Sequence, residues 1–145
     1  MPARVNRQSS LSLDSCPAQV ESLLDWITPV LETSCLDDIQ AFRLQCAMVE
    51  VFNNCIQHAY RGEPDQTIRI NYKLDCDRVR INIYDRGQKL FGPPDTAIES
   101  LMAESGRGLD IIHASVDRLQ YIRRNGWNIC RMENWATPAV RPTAD

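Results

Sequence analysis

The chain has 145 residues, 43% of them hydrophobic and 24% charged, with a formal net charge of −3. These values predict one globular domain with a single core over residues 1–135, followed by a loose tail at 136–145. The charge balance, without a run of like charges, argues against direct nucleic-acid binding. No segment approaches the ~18 apolar residues of a membrane span, and residues 1–15 lack the apolar core of a signal peptide. We therefore expect a cytoplasmic protein without membrane contact.

Six cysteines stand at positions 16, 35, 46, 55, 76 and 130, with no Cys-x-x-Cys pair. This spacing is not that of a zinc site. We predict reduced cysteines that pack as small hydrophobic side chains, as is usual in a reducing compartment.

The N-terminal part predicts one strand and one helix. Residues 7–13 alternate loosely, as a strand does. Pro17 then opens an apolar pattern of helical spacing that continues to Leu31. Pro29 interrupts this pattern, so we expect a kink or an early end of the helix there.

A second, longer helix follows. Asp37 and Asp38 suit its N-terminus, because carboxylates are favourable at the positive end of a helix. The glycine of the Arg61-Gly62 pair suits its end. Its apolar stripe consists of Leu44, Met48, Val51 and Cys55.

The rest of the chain predicts two hairpins. Residues 67–74 and 78–84 alternate apolar and polar side chains, which indicates an antiparallel pair with one buried face. Residues 119–123 and 128–132 form the second pair around Asn125-Gly126, which is a type I′ turn signal.

Between the hairpins, residues 88–107 predict a mixed loop with a short helical piece at 97–102. Gly108 opens a further helix to about Val116. Strands and helices in separate blocks indicate an α+β fold, a two-layer sandwich with a mixed, mostly antiparallel sheet and helices on one face.

The long helix carries an unusual polar stripe. Glu50, Asn54 and His58 are spaced i, i+4 and i+8, so a continuous α-helix would place them on one line. A carboxylate and a carboxamide one turn apart can hold a metal ion and activate a hydroxyl group. This arrangement is unusual for a helix that only packs.

Two further motifs are weak when taken alone. Asp85-Arg86-Gly87 ends a predicted strand, and such a sequence is most often a simple turn. Gly106-Arg107-Gly108 precedes a helix, where it can be an ordinary loop or can expose backbone N–H groups to an anion.

In this order and at these spacings, the three motifs resemble the N, G1 and G2 boxes of the GHKL ATPase superfamily. The stretch at 50–60, E-V-F-N-N-C-I-Q-H-A-Y, is similar to that of the bacterial anti-sigma-factor serine/threonine kinases of the RsbW type. Residues 104–112 resemble the G2 box of the same branch, with Ser105 where a glycine is usual. The resemblance covers roughly residues 10–134 and implies a sandwich of the Bergerat type.

The resemblance implies that ATP and Mg²⁺ are the cofactors. Asn54 would ligate the metal through its amide oxygen. Glu50 would be the catalytic base that accepts the proton of a serine hydroxyl or a water. His58 would lie near the nucleotide, although a histidine satisfied at a helix end is an equal alternative, and Gln57 is a weaker candidate.

The other two boxes imply the remaining nucleotide contacts. Asp85 would accept a hydrogen bond from the adenine amino group, and Gly87 would let the backbone pass against the purine. The second glycine motif would approach the phosphates, with positive charge from its arginine. Its nucleotide-binding residues would be Gly106, Arg107, Gly108 and Leu109.

Two departures from the family pattern affect the same region. Trp127 and Asn128 occupy the place of threonines that often follow the hairpin glycine, so a contact to the adenine site is lost or replaced. Residues 88–90 replace a common Pro-Gly pair, which puts the geometry of the lid in doubt.

The function implied by the resemblance is partner switching. The protein would sequester a sigma factor or similar client and would phosphorylate a serine of a STAS-domain antagonist. A homodimer is implied, with the first strand and helix near the shared surface, where Leu11 and Leu13 could contribute if they are not in the core.

Two other functions stay open. One is a nucleotide-gated binding module without kinase activity, against which the retained Glu50 argues. The other is the detached ATP domain of a sensor histidine kinase. That function is disfavoured because His58 and His113 are the chain's two histidines and neither precedes the motif of the long helix.

Overall fold

The computed structural model describes residues 7–88 and 106–137, except for the side chains of 106–109. Within these ranges the chain forms a five-stranded sheet and three α-helices. The strands are β1 (Arg7–Asp14), β2 (Thr67–Leu74), β3 (Arg78–Asp85), β4 (Arg118–Arg124) and β5 (Trp127–Trp135). The helices are α1 (Val20–Glu32), α2 (Asp38–Asn54) and α3 (Gly106–Ser115), with a 3₁₀ turn at Pro17–Gln19 and a π-helical turn at Cys55–Ala59.

The strands lie in the order β1-β2-β3-β5-β4, and each pairing among these described strands is antiparallel. Both predicted hairpins are confirmed. Asn125 and Gly126 have φ angles of 52° and 80°, the left-handed values that a type I′ turn requires. The architecture is the predicted α+β sandwich, except that the described sheet is antiparallel throughout and not mixed.

The first helix does not end at Pro29. It begins after the 3₁₀ turn opened by Pro17 and continues to Glu32. Because Pro29 lies three residues before the end, its missing N–H removes only one hydrogen bond close to the terminus. The expectation of an early end was therefore wrong.

The start of α2 is confirmed and has a local cause. The Asp37 carboxylate accepts a hydrogen bond from the Gln40 backbone N–H at 2.7 Å, and the Gln40 side-chain oxygen accepts one from the Asp37 N–H at 3.1 Å. This reciprocal pair is a capping box. Gln40 also donates to the Trp135 carbonyl, which ties the helix start to β5.

The end of the long helix differs from a continuous α-helix. The Tyr60 N–H donates to the Cys55 carbonyl, five residues back, and the Gly62 N–H donates to the Ile56 carbonyl, six residues back. The chain leaves the helix at Arg61 and Gly62, both with positive φ, as predicted. The last turn is therefore wider than an α-helical turn.

The core lies between the helices and one face of the sheet. The predicted apolar stripe of α2 is buried along its whole length. Leu13 is buried in this core, and Leu11 packs against it. Both leucines face the core. The expectation that they are exposed apolar residues at a dimer surface was therefore wrong.

Two predicted segments lie mainly outside the described residues. The helical piece at 97–102 falls entirely in the gap, and α3 begins at Gly106, two residues earlier than expected. Of the predicted tail, Ala136 donates a backbone hydrogen bond to the Asp77 carbonyl at 2.8 Å. None of the described helices is both long and apolar enough to cross a membrane.

Candidate functional site

A cavity opens where the end of α2 meets the inner face of β3, β5 and β4. Its volume is about 460 Å³, counting the space at its mouth. It is lined by Val51, Asn54, Cys55, Asp85, Tyr121, Ile122, Arg123, Asn128, Ile129 and Cys130. The walls are largely apolar, with a few polar groups at one end, which is the composition of a small-molecule site.

Asp85, the last residue of β3, is the central polar group of this cavity. It is only 4% exposed. Its Oδ1 accepts hydrogen bonds from the Gly87 N–H at 2.9 Å and from Asn128 Nδ2 at 2.8 Å. Its Oδ2 accepts the Cys55 thiol at 3.4 Å. The more open oxygen, Oδ2, is therefore the one available to a donor in the cavity.

Burial raises the pKa of Asp85 above its ordinary value, while the hydrogen bonds from Asn128 and Gly87 oppose the rise. The carboxylate form is thus maintained by neighbouring donors rather than by solvent. A buried, hydrogen-bonded carboxylate in an apolar cavity selects a ligand that presents an N–H group.

Asn128 is the residue that sequence analysis missed. Its Nδ2 lies 2.8 Å from Asp85 Oδ1, 3.2 Å from the Gly87 carbonyl and 3.0 Å from the Gln88 carbonyl, and its Oδ1 accepts from Arg123. The sequence identified the position only as a departure from the family. Where a threonine was expected, the Asn128 amide donates a hydrogen bond to Asp85. A contact with Asp85 is therefore present at this position, although it comes from a different residue type.

Two thiols line the same cavity. Cys55 and Cys130 are buried, and burial raises the pKa of both, with the nearby Asp85 charge acting in the same direction. They are therefore protonated and unreactive at neutral pH. All six cysteines are free, as predicted, but only Cys55 and Cys130 are buried. Cys16 and Cys76 are exposed, so the predicted packing as small hydrophobic side chains was wrong for them. Within the described residues, no cluster of three or more His, Cys, Asp or Glu side chains could hold a metal.

Asn54 is the last residue of α2 and is 8% exposed. Its carboxamide lines the cavity. No hydrogen bond joins its side chain to another described residue, and its amide atoms are not among the fully buried atoms without a partner. The amide therefore faces the cavity and is available to a ligand.

Glu50 and His58 do not line the cavity. Glu50 lies one turn before Asn54 on α2 and is partly exposed. His58 lies in the π-helical turn, whose wider geometry changes the direction of side chains after Asn54. The α-helical spacing of the stripe therefore ends at Asn54, because the turn that contains His58 is π-helical. A contact between His58 and a nucleotide stays a prediction.

Hydrogen bonds join the π-helical turn to the chain that follows β3. The Ala59 carbonyl accepts from the Gln88 N–H at 2.9 Å, and the His58 carbonyl accepts from Gln88 Nε2 at 2.7 Å. The Tyr60 hydroxyl accepts from the Arg86 N–H at 2.7 Å and donates to the Thr67 carbonyl. The three residues that end the helix motif thus position the loop after Asp85.

The close contact between the π-helical turn and the chain after β3 requires a glycine at position 87. A Cβ atom at Gly87 would lie 2.2 Å from the Ala59 carbonyl oxygen, so any side chain would separate the two segments. The close approach that the structure shows is to the backbone of the helix end, and this is a different reason for a glycine from the predicted approach to a purine.

The second glycine motif forms the first turn of α3. The backbone of Gly106, Arg107, Gly108 and Leu109 is helical, and α3 packs against α2, with Ile112 fully buried. Its first N–H groups therefore belong to a helix N-terminus, the end that favours anions.

The comparisons with known proteins agree with this geometry. The family model of the histidine kinase-like ATPase domain matches residues 13–134. The chain is 25% identical over 95 residues to the serine-protein kinase RsbW of Listeria monocytogenes, covering 59% of this chain and 60% of that protein. It is 28% identical over 94 residues to the serine-protein kinase RsbW of Bacillus licheniformis, covering 58% and 57%. Each match spans less than two thirds of the relative's length.

The fold is similar to that of a solved structure, the RsbU and RsbW domains of Rv1364c from Mycobacterium tuberculosis. The TM-score is 0.66 at 18% identity, covering 92% of this chain and 33% of that one. This likeness shows the fold, and the family match covers most of the chain. The protein belongs to the histidine kinase-like ATPase domain family.

Proposed function

We propose that the protein is an ATP-dependent serine kinase of a partner-switching system, which sequesters a sigma factor or a similar client and phosphorylates a STAS-domain antagonist. Two relatives with this domain are serine-protein kinases. The observation that carries the proposal is the pairing, in one cavity, of a buried Asp85 carboxylate with an Asn54 amide that has no partner on the described chain.

Asp85 would select the base of the nucleotide. Its Oδ1 is held by two donors, which leaves Oδ2 to accept the exocyclic amino group of adenine. Guanine presents a carbonyl oxygen at the corresponding position and would place two acceptors in contact. The cost of such an unmatched buried acceptor, about 1–3 kcal/mol, favours ATP over GTP.

Asn54 fits a magnesium ion that arrives with the nucleotide. Its amide oxygen is a hard ligand of the kind Mg²⁺ takes, and the phosphates would provide further oxygens. Bound there, the metal would neutralise charge on the transferring phosphoryl group. Glu50, one turn away on the same face of α2, would accept the proton of the attacking serine hydroxyl.

The binding step is tested by calorimetry of ATP with magnesium. We expect Asn54→Ala to weaken ATP binding by about tenfold or more and to abolish its magnesium dependence. Asn53→Ala is the matched control, since it removes the adjacent carboxamide, which does not line the cavity, and it should bind as the parent does. Equal behaviour of the two variants, or no heat with the parent, would remove the proposal.

The transfer step is tested with labelled ATP and a STAS-domain protein from the same source. We expect Glu50→Gln to lower the transfer rate by about 10²–10⁴-fold while ATP affinity is kept. Glu63→Gln, an exposed carboxylate outside the site, is the control. ATP binding by the parent without any transfer would overturn the kinase assignment and leave a nucleotide-gated binding module.

A further inference from the structure

The face of the sheet that carries no helix is strongly basic. Side chains alternate between the two faces of a strand. Lys73, its partners on the neighbouring strands and every second residue from them therefore lie on the open face, opposite the core. The cations on this face are Arg69, Lys73, Arg78, Arg80, Arg118, Arg124 and Arg131, and the carboxylates of the paired strands are Asp14 and Glu133. Asp75, in the turn after β2, adds a third carboxylate, which pairs with Arg78 at 3.0 Å. We call this surface the basic sheet face. Its positive charge contrasts with the net charge of −3 of the whole chain.

One row across the basic sheet face concentrates this charge. Gln8, Lys73, Arg80, Glu133 and Arg118 are consecutive partners on β1, β2, β3, β5 and β4. Lys73 and Arg80 stand directly opposite each other, and like charges in such a pair are destabilising. The fold therefore retains two adjacent cations at a cost.

Glu133 does not compensate the whole row. It is 1% exposed and pairs with Arg78 at 3.1 Å and with Arg80 at 3.5 Å. Arg80 Nε is buried and makes no hydrogen bond within the described chain, but it lies 3.5 Å from Glu133 Oε2, and Arg80 Nη2 donates to the same oxygen at 3.5 Å. Lys73 forms no ion pair with any described residue. Arg78 and Arg80 therefore share one carboxylate, and Lys73 has none within the described part of the chain.

A groove lies over these donors. It has a volume of about 830 Å³, counting the space open to solvent, and its wall includes Lys73, Arg80, Asn71 and Asn82. The amides form a chain in which Asn82 Nδ2 donates to Asn71 Oδ1 at 2.9 Å and Arg131 Nε donates to Asn82 Oδ1 at 2.9 Å. The floor of the groove is thus a fixed polar surface.

We propose that the basic sheet face docks an extended acidic segment of a partner protein. Carboxylates match guanidinium and ammonium donors, and Lys73 has no carboxylate partner on the described chain. From Lys73 to Arg118 the row crosses three strand spacings of about 4.8 Å, a length that about four to five extended residues span at about 3.3 Å each. Alternate acidic side chains of such a segment would point toward the sheet.

Two other occupants fit the face less well. A second copy of the chain would bring cations against cations across a two-fold axis. Single-stranded nucleic acid would need open aromatic surfaces for stacking. The ring of Tyr84 meets Trp127 edge-on at 6.1 Å, and Arg86 covers the Trp127 face at 4.1 Å, so these two aromatics are already occupied.

The test uses a short peptide in which glutamate alternates with serine, titrated into ¹⁵N-labelled protein at physiological ionic strength. We expect shifts of the β1, β2 and β3 amides in the row of Lys73, and a dissociation constant raised about tenfold or more by Lys73→Glu. Arg69→Glu, on an exposed position of the same face, should weaken binding as well. Arg43→Glu, the same charge change on the helix side, should leave the dissociation constant within about twofold of the parent.

Several results would overturn the proposal. These are shifts elsewhere on the protein, equal loss in Arg43→Glu, tighter binding of a single-stranded oligothymidylate of equal charge, and a dimer that dissociates in Lys73→Glu. The ¹⁵N spectrum of each variant shows whether it is folded, which keeps this test independent of the proposed kinase function. ATP binding is measured as well, and it should not change, because the cavity proposed for the nucleotide lies on the opposite side of the sheet.

Discussion

At the scale of single residues, the site depends on how one buried carboxylate is kept charged. Asp85 would be protonated more readily in an apolar cavity than in water, because burial disfavours the charged form. Donors from three separate elements oppose this: Cys55 at the helix end, Gly87 after β3 and Asn128 on β5. The carboxylate is therefore held in one orientation by hydrogen bonds to both of its oxygens.

Replacing Asn128 with Ala should raise the pKa of Asp85 further, because the hydrogen bond that lowers it is removed. The ATP affinity should fall by about tenfold. The folded-state pKa already lies above that of an unfolded aspartate, so stability decreases as pH rises from the unfolded to the folded pKa. In the variant this decrease should extend to higher pH and be larger in total. NMR titration of the Asp85 carboxyl carbon measures the pKa.

The control for this prediction is Asn71→Ala, which removes a carboxamide with comparable hydrogen bonds on the open face of the sheet. It should lower stability without changing the Asp85 titration or the ATP affinity. An unchanged Asp85 titration in Asn128→Ala would contradict the role given to Asn128.

Gly87→Ala should weaken ATP binding by about tenfold or more, because the new Cβ would force the chain away from the Ala59 carbonyl and would displace Asp85. Gly62→Ala is an informative comparison, since Gly62 has a positive φ but open space around it. It should cost about 1 kcal/mol of stability with ATP affinity retained. Calorimetry and thermal unfolding separate the two effects, and an equal loss of affinity in both variants would count against the steric argument.

At the scale of elements, the π-helical turn at Cys55–Ala59 determines where the helix motif acts. It directs Cys55 into the cavity, and it presents the carbonyls of His58 and Ala59 to Gln88. The end of the motif therefore supports the site through backbone contacts. In a continuous α-helix the carbonyls of His58 and Ala59 would point in other directions, and they would not accept the hydrogen bonds from Gln88.

Tyr60→Phe should destabilise the protein by about 1–3 kcal/mol, because the Arg86 N–H loses its acceptor and the Thr67 carbonyl loses its donor. The matched change Tyr72→Phe removes a hydroxyl that has no hydrogen-bond partner among the described residues, and it should change stability by less than about 0.5 kcal/mol. Urea unfolding measures both. Similar losses of unfolding free energy in the two variants would mean that the hydrogen bonds of the Tyr60 hydroxyl do not stabilise the turn.

At the scale of the whole molecule, the sheet separates two different environments. Its inner face and the helices enclose the apolar core and, at one end, the cavity proposed for the nucleotide. Its open face carries a polar and basic surface. Stability depends mainly on the first face, so the core and the open surface can be altered independently.

Phe52→Ala should lower the free energy of unfolding by about 3–5 kcal/mol, since this ring of α2 is fully buried and its removal leaves a cavity in the core. Phe42→Ala, ten residues earlier on the same helix, removes a ring that is 66% exposed and should cost less than about 1 kcal/mol. Chemical denaturation gives both values. Comparable losses would show that Phe42 is packed in solution.

Much of the local structure could be predicted because it has local causes. The alternation of β2 and β3, the Asn125-Gly126 turn and the capping residue Asp37 each act within a few positions of the chain. The wider turn after Asn54 could not be predicted, because the same residues satisfy the apolar pattern of an ordinary α-helix.

The sequence by itself determined the order of the elements, the apolar stripe of α2 and the residue types available for nucleotide chemistry, because periodicity, turn geometry and capping are short-range effects. Only the tertiary structure brought Asn128 to Asp85, since β5 pairs with β3 and not with its predecessor alone. That pairing joins residues 43 positions apart in the chain. Contacts of this kind depend on which strands become neighbours, and this choice is decided by burial of the whole sheet rather than by any local pattern.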